Sequence, residues 1–182
     1  MGRDKALLEL DEPGITLLEK TASLVKLVAG SVTVVGGEER YGNLGLPVMA
    51  DLIPEIGPHK IGPMGGLITI LKRTQAEWNL LVACDMPHLN VELLRNLLLA
   101  AVESNADCVL AEGPDGRLHP LCAVYHRRCL PEVGRLISNK CFTMHRLIEI
   151  LDAKHWFVAD NRLLGNVNTP ADLALETGAN AP

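Results

Sequence analysis

Asp85 closes the apolar run Leu80-Leu81-Val82-Ala83-Cys84 and is followed by Met86-Pro87. In an open α/β sheet, ligands bind beyond the carboxyl ends of the strands. A carboxylate there could hold Mg²⁺, which uses one or two protein carboxylates and takes its other ligands from phosphate and water. The plainer reading is an N-cap for the next helix, although Asn90 is better placed for that. Asp51 ends a second short run, Pro47-Val48-Met49-Ala50-Asp51, and could accept hydrogen bonds from a nucleobase edge or a ribose hydroxyl. The alternative is a turn aspartate ahead of Pro54. Gly65 and Gly66 fall where a helix opens, so their bare amides suit an approaching phosphate or base, or simply join a loop to a helix. Lys5 alone reads as a solvated cation, and His88 as a surface loop histidine. Asn166 and Asn168, in Asn166-Val167-Asn168-Thr169-Pro170, put two amides beside a helix start, where asparagine also serves turns and caps.

The elements that must position these residues alternate in type. Ile15, Leu18, Ala22 and Val25 follow helical spacing, with Gly30 as the stop. Ser31–Val35 reads as a strand, and a second short strand runs to Asp51. Pro63-Met64-Gly65-Gly66 opens a helix through Leu67, Ile70 and Leu71. Trp78–Cys84 predicts a parallel strand buried on both faces. A helix carrying Val91, Leu94, Leu98 and Ala101 follows, then strands over Asp107–Ala111 and Leu121–Tyr125 with a turn at Pro114-Asp115-Gly116 between them. Two helices, around Leu130–Ile137 and Met144–Leu151, precede a last strand over His155–Ala159 and a short helix begun by Thr169-Pro170. This order predicts an α/β sandwich with a mainly parallel sheet, one domain over residues 1–182 with a disordered tail at Gly178–Pro182. Neither a Walker A loop nor Gly-x-Gly-x-x-Gly occurs, so the usual opening strand and glycine-rich turn of such a fold are missing.

Composition narrows the class. Of 182 residues 48% are hydrophobic and 21% charged, a globular balance. A net charge of −5 offers no general footprint for nucleic acid, so a polyanionic ligand must be held locally. No apolar run approaches the roughly 18 residues of a spanning helix, and the charged opening Met1-Gly2-Arg3-Asp4-Lys5 lacks the apolar core of a signal peptide. The five cysteines show neither Cys-x-x-Cys spacing nor a disulfide framework, and the expected location is the cytoplasm.

Five segments in order resemble the molybdenum cofactor guanylyltransferase family. Met1-Gly2-Arg3-Asp4-Lys5-Ala6-Leu7-Leu8 resembles the second half of that family's opening motif, Leu-x-Gly-Gly-x-Ser-x-Arg-Met-Gly-x-Asp-Lys. Gly62-Pro63-Met64-Gly65-Gly66-Leu67 is similar to its Gly-Pro-Leu-x-Gly element, and Ala83-Cys84-Asp85-Met86-Pro87 to its Cys-Asp-x-Pro strand end. His119-Pro120-Leu121-Cys122-Ala123-Val124-Tyr125 and Asn166-Val167-Asn168-Thr169-Pro170 resemble its later motifs.

The resemblance implies a three-layer Rossmann-like nucleotidyltransferase, N-terminally truncated, with the first strand and glycine-rich loop lying upstream of Met1. It implies transfer of GMP from GTP to molybdopterin or its molybdenum form, with Mg²⁺ as cofactor and pyrophosphate as leaving group. By position, Lys5 corresponds to the lysine at the nucleotide's phosphates, Asp51 to a nucleotide-binding aspartate, and Asp85 to the Mg²⁺ ligand at the nucleotide. Lys5 and Asp85 would be catalytic, while Gly65 and Gly66 would line the nucleotide site. Asn166 and Asn168 match a motif linked to the pterin side. Gly36 stands where many members carry a nucleotide-contacting asparagine. Molybdoenzymes or other cofactor-biosynthesis proteins are the partners such a family implies. The alternatives are a cytidylyltransferase for the same cofactor and, given the absent phosphate loop, a non-catalytic remnant that binds cofactor or partner.

Overall fold

The computed structural model describes residues 4–9, 14–167 and 172. Its first long helix, α1 (Leu17–Ala29), opens on a reciprocal cap. Thr16 Oγ1 accepts from the Glu19 backbone N–H at 3.3 Å, and the Glu19 carboxylate accepts from the Thr16 N–H at 2.9 Å. Leu17, Leu18, Thr21, Ala22 and Val25 turn inward, and Gly30 ends the helix at φ 78, a left-handed conformation that favours glycine.

Two short strands, β1 (Val34–Val35) and β2 (Val48–Met49), pair in parallel around α2 (Glu38–Tyr41). A small antiparallel pair, β3 (Glu55–Ile56) and β4 (His59–Lys60), leads into α3 (Pro63–Arg73). Gly62 takes φ 64 at that entry, and Pro63 occupies the first turn, where its missing N–H costs nothing. Then come β5 (Trp78–Val82), α4 (Val91–Val102), β6 (Cys108–Glu112), β7 (Leu118–His126), α5 (Leu130–Ser138), α6 (Met144–Ile150) and β8 (Ala153–Phe157).

The main sheet has the order β5-β7-β6-β8. β6 and β8 pair in parallel, while β7 runs antiparallel to both β5 and β6. Three of its four strands therefore point one way, and β7, reversed in the middle, makes two of the three ladders antiparallel. Both faces are covered. Along β6, Cys108 and Leu110 join Met64, Leu67, Leu71, Val133 and Leu147 under α3, α5 and α6. Val109 and Ala111 join Leu94, Leu97 and Val25 under α4 and α1. Period-two alternation with no exposed residue among those four is what a doubly covered central strand shows.

Several boundaries differ from the sequence expectation. The Trp78–Cys84 run forms a strand only to Val82, its ladder is antiparallel, and its five residues are half-buried. An apolar run records that both faces pack, not the direction of the neighbour, and β5 lies at the margin of this sheet. β7 is longer than Leu121–Tyr125, because a register shift at Leu110/Ala111 lets its first residues pair onward with β6. β8 starts two residues earlier than expected, with Ala153 opposite Cys108. Only Val34–Val35 of the Ser31–Val35 segment is strand. The helix start at Thr169-Pro170 and the tail Gly178–Pro182 lie outside the described residues. Among the described residues no helix is long and apolar enough to cross a membrane.

Candidate functional site

Asp51 lies two residues beyond β2, and its carboxylate is held against the first turns of α3. Oδ1 accepts from the Thr69 hydroxyl and from the Ile53 N–H, both at 3.0 Å. Thr69 Oγ1 in turn accepts from the Leu52 N–H at 2.9 Å, and the Thr69 side chain is fully buried. A Cβ placed on Gly65 would come within 2.6 Å of Asp51 Oδ2 and 2.9 Å of the Ile53 carbonyl oxygen. Only glycine lets the carboxylate seat this close. Gly66 is under no such demand, since a Cβ there would make ordinary contact with Val35 at 3.9 Å.

Asp85 lies three residues past β5, and its surroundings are the opposite. Its Oδ1 is buried and takes no hydrogen bond from the described residues. Burial raises its carboxyl above the ordinary carboxylate range, while a backbone N–H and the charge of Lys5 pull the other way. Lys5 sits in a single 3-10 turn, Lys5–Leu7, capped by Asp4, whose Oδ1 accepts from the Ala6 N–H at 3.2 Å. Asp4 Oδ2 is pinned by Arg40 Nη1 at 2.5 Å and by the Tyr41 hydroxyl at 2.9 Å. Burial, with the Asp4 carboxylate adding to it, pushes the Tyr41 phenol up to about 12, so it stays a donor. Burial also pushes the adjacent Cys84 thiol up to about 11, with Asp85 adding to it, which makes Cys84 a neutral packing group.

The Val167 N–H donates to the Asp85 carbonyl at 2.8 Å, which brings Asn166 to the same strand end. Asn166 Oδ1 is also buried, without a hydrogen-bond partner among the described residues. A small apolar cluster ties the two corners together: Ala6, Leu18 and Tyr41, with Val34, Val48 and Cys84 against them. It packs the turn carrying Lys5, the strand before Asp51 and the residue before Asp85 into one unit.

The structure thus joins Lys5, Asp85 and Asn166 at one strand end, and Asp51 with Gly65 and Gly66 at another. Asn168 lies outside the described residues. His88 is exposed. Sequence reasoning missed Thr69, Asp4, Arg40 and Tyr41. The one available signal was Thr69, the polar member of the buried set on α3.

A buried carboxylate oxygen that no described residue meets suits a hard cation. Among the described residues no group of three or more His, Cys, Asp or Glu side chains could hold a metal. An ion at Asp85 would therefore depend on phosphate and water for its other ligands.

An α/β sandwich with carboxylates at two strand ends and a lysine beside one of them is the plan of a nucleotidyltransferase. The chain matches the MobA-like NTP transferase domain over residues 1–155 and belongs to that family. It is 34% identical over 186 residues to a probable molybdenum cofactor guanylyltransferase of Nostoc sp., covering 98% of this chain and 84% of that one. The protein of the same name from Mycobacterium tuberculosis is 33% identical over 174 residues, covering 95% and 85%. Among solved structures, molybdopterin-guanine dinucleotide biosynthesis protein A from Archaeoglobus fulgidus shares the fold at a TM-score of 0.77 and 20% identity, covering 97% of this chain and 90% of that one. The 2-C-methyl-D-erythritol 4-phosphate cytidylyltransferase of Thermus thermophilus shares it at 0.66 and 18%, covering 96% and 92%.

Proposed function

We propose that this cytoplasmic nucleotidyltransferase transfers GMP from GTP to the terminal phosphate of molybdopterin or its molybdenum form. The product is the guanine dinucleotide cofactor, and pyrophosphate leaves. The observation that carries this reading is the buried Asp85 oxygen beside Lys5 at a strand end, which no described residue meets. Relatives at 33–34% identity named as probable molybdenum cofactor guanylyltransferases support the choice of nucleotide and acceptor.

In the reaction an oxygen of the acceptor phosphate forms a bond to the α-phosphorus of GTP. The bond from that phosphorus to the β-phosphate bridge breaks, and the pyrophosphate carries off the electron pair. The acceptor is already an anion, so little general-base help is needed, and the obstacle is charge. Lys5 neutralises part of the triphosphate. Asp85 would hold Mg²⁺, which when bound offsets the charge growing on the leaving group. Asp51 accepts from the guanine edge, and Asn166 stands toward the acceptor. Asp85 and Asn166 keep their open oxygens because the partners arrive with the substrates.

The test is product formation with molybdopterin and Mg²⁺ present. GTP should give dinucleotide and pyrophosphate in equal amounts, with CTP much poorer. A preference for CTP, or equal use of both, would move the protein to the cytidylyl branch.

A further inference from the structure

Threonine inside a helix ordinarily turns its hydroxyl back to the carbonyl four residues earlier. Thr69 does not. It donates to Asp51 Oδ1 and accepts from the Leu52 N–H, both outside its own helix. The residue four positions earlier is Gly65, one helical turn away on the same face of α3. Gly65 and Thr69 therefore form two halves of one cup. The hydroxyl grips one carboxylate oxygen, and the bare Cα leaves room for the other, where a Cβ would stand 2.6 Å from it. The Ile53 N–H completes the hold on Oδ1, which now accepts two hydrogen bonds. All hydrogen bonds to this carboxylate from the described residues fall on Oδ1, so Oδ2 is the oxygen on offer.

We propose that Thr69 is a positioning residue for base selection, fixing Asp51 so that Oδ2 is presented along Gly65 to the 2-amino group of guanine. This rests on the reading of Asp51 as the residue that meets the base. Guanine offers N1–H and the 2-amino group side by side. Hypoxanthine lacks the amino group, and cytosine sets a ring acceptor beside its amino donor, which faces an anion badly. A site built to accept from a substrate N–H rejects the analogue without it, because its own polar atom is then left unpaired. That discrimination holds only while the carboxylate cannot rotate away.

The experiment compares GTP with inosine triphosphate in the full protein, with molybdopterin as acceptor. A hydrogen bond to a charged group is worth about 1.5–3 kcal/mol, so wild type should favour GTP by about tenfold or more in kcat/KM. Thr69→Val keeps the shape but removes the hydroxyl. It should raise the KM for GTP, change kcat little, and bring the GTP-to-inosine ratio close to one. Thr69→Ser restores the hydroxyl and should restore the ratio. A Thr69→Val protein that loses both substrates equally, or keeps the wild-type ratio, overturns the proposal. Should that variant not fold, Gly65→Ala displaces Oδ2 from the other side and should move the ratio the same way, and an unchanged ratio there overturns it equally. Asp51→Asn separates the two levels. If it leaves the ratio intact, Asp51 does not read the base at all; if it abolishes the ratio while Thr69→Val does not, only the role of Thr69 falls.

Discussion

Asp51 and Asp85 are both carboxylates just past a strand, yet the fold treats them oppositely. The Asp51 corner is internally anchored, with one oxygen saturated by Thr69 and Ile53, the other left open beside Gly65, and the backbone of Leu52 engaged through the same hydroxyl. The Asp85 corner is internally incomplete, with a buried oxygen that no described residue meets. A satisfied polar group costs the native state little, whereas an unsatisfied buried one costs desolvation that something must repay. Asp51 reads as preorganised to recognise a rigid group. Under the proposed function, Asp85 would be held for a cation and phosphates that arrive with the substrates. On that proposal the difference would separate a residue that selects the base from one that holds the metal.

The largest expected effect comes from breaking the incomplete corner. Asp85→Asn should lower turnover by about 10²–10³, the scale lost when a preorganised electrostatic contact in an active site is removed. Its melting temperature should stay at or above that of wild type, because a partly desolvated charge has been deleted. Steady-state kinetics beside a thermal melt check both halves. Near-normal turnover would remove Asp85 from the mechanism, and a large loss of stability would show that its oxygen is satisfied after all.

The anchored corner should respond with the opposite sign on stability. Asp51→Ala leaves the buried Thr69 hydroxyl without its acceptor and frees the Ile53 N–H, at a cost of about 1–3 kcal/mol. Denaturant unfolding measures this through a lower midpoint at unchanged slope. If Asp51→Ala is as stable as wild type, the carboxylate is not holding the β2-to-α3 connection, and the contrast between the corners collapses.

Much of this arrangement was legible from residue types. The helical spacing of Leu18, Ala22 and Val25 with Gly30 behind them marks α1 because periodicity and a left-handed stop are local properties. Asn90 was readable as a cap and does accept from the Leu93 N–H at 2.8 Å. Asp85, Asp51 and Gly65 could be singled out because each sits at an end of an apolar element. The antiparallel placement of β7 between β5 and β6 was not legible, since strand neighbours are chosen by the whole sheet and not by any one run. Thr69 was not legible as a partner for Asp51 for a related reason. The two are 18 residues apart, and their bond exists only once α3 docks beside β2. The hold on Asp4 by Tyr41 spans 37 residues and was equally invisible.

That hold gives the smallest effect and the finest test of the contrast. Tyr41 is buried, and its ring lies where a Cβ on Gly37 would come within 2.4 Å of it, so the ring itself is tightly seated. Tyr41→Phe keeps that packing and removes only the hydroxyl that meets Asp4 Oδ2. Asp4 still has Arg40 and still caps the turn of Lys5, so stability should fall by about 1 kcal/mol or less. The catalytic consequence runs through Lys5, whose turn loses one of the two contacts that fix its cap. We expect kcat/KM to fall by about threefold, a fraction of a kcal/mol. In a Lys5→Met background the same substitution should then do nothing further to kcat/KM, because residues that act through one group are not additive. Measured as a double-mutant cycle, a full additive loss in that background would mean that Tyr41 supports the site by another route. Strict non-additivity would extend the incomplete corner outward, from Asp85 and Lys5 to the cap that holds the lysine in reach.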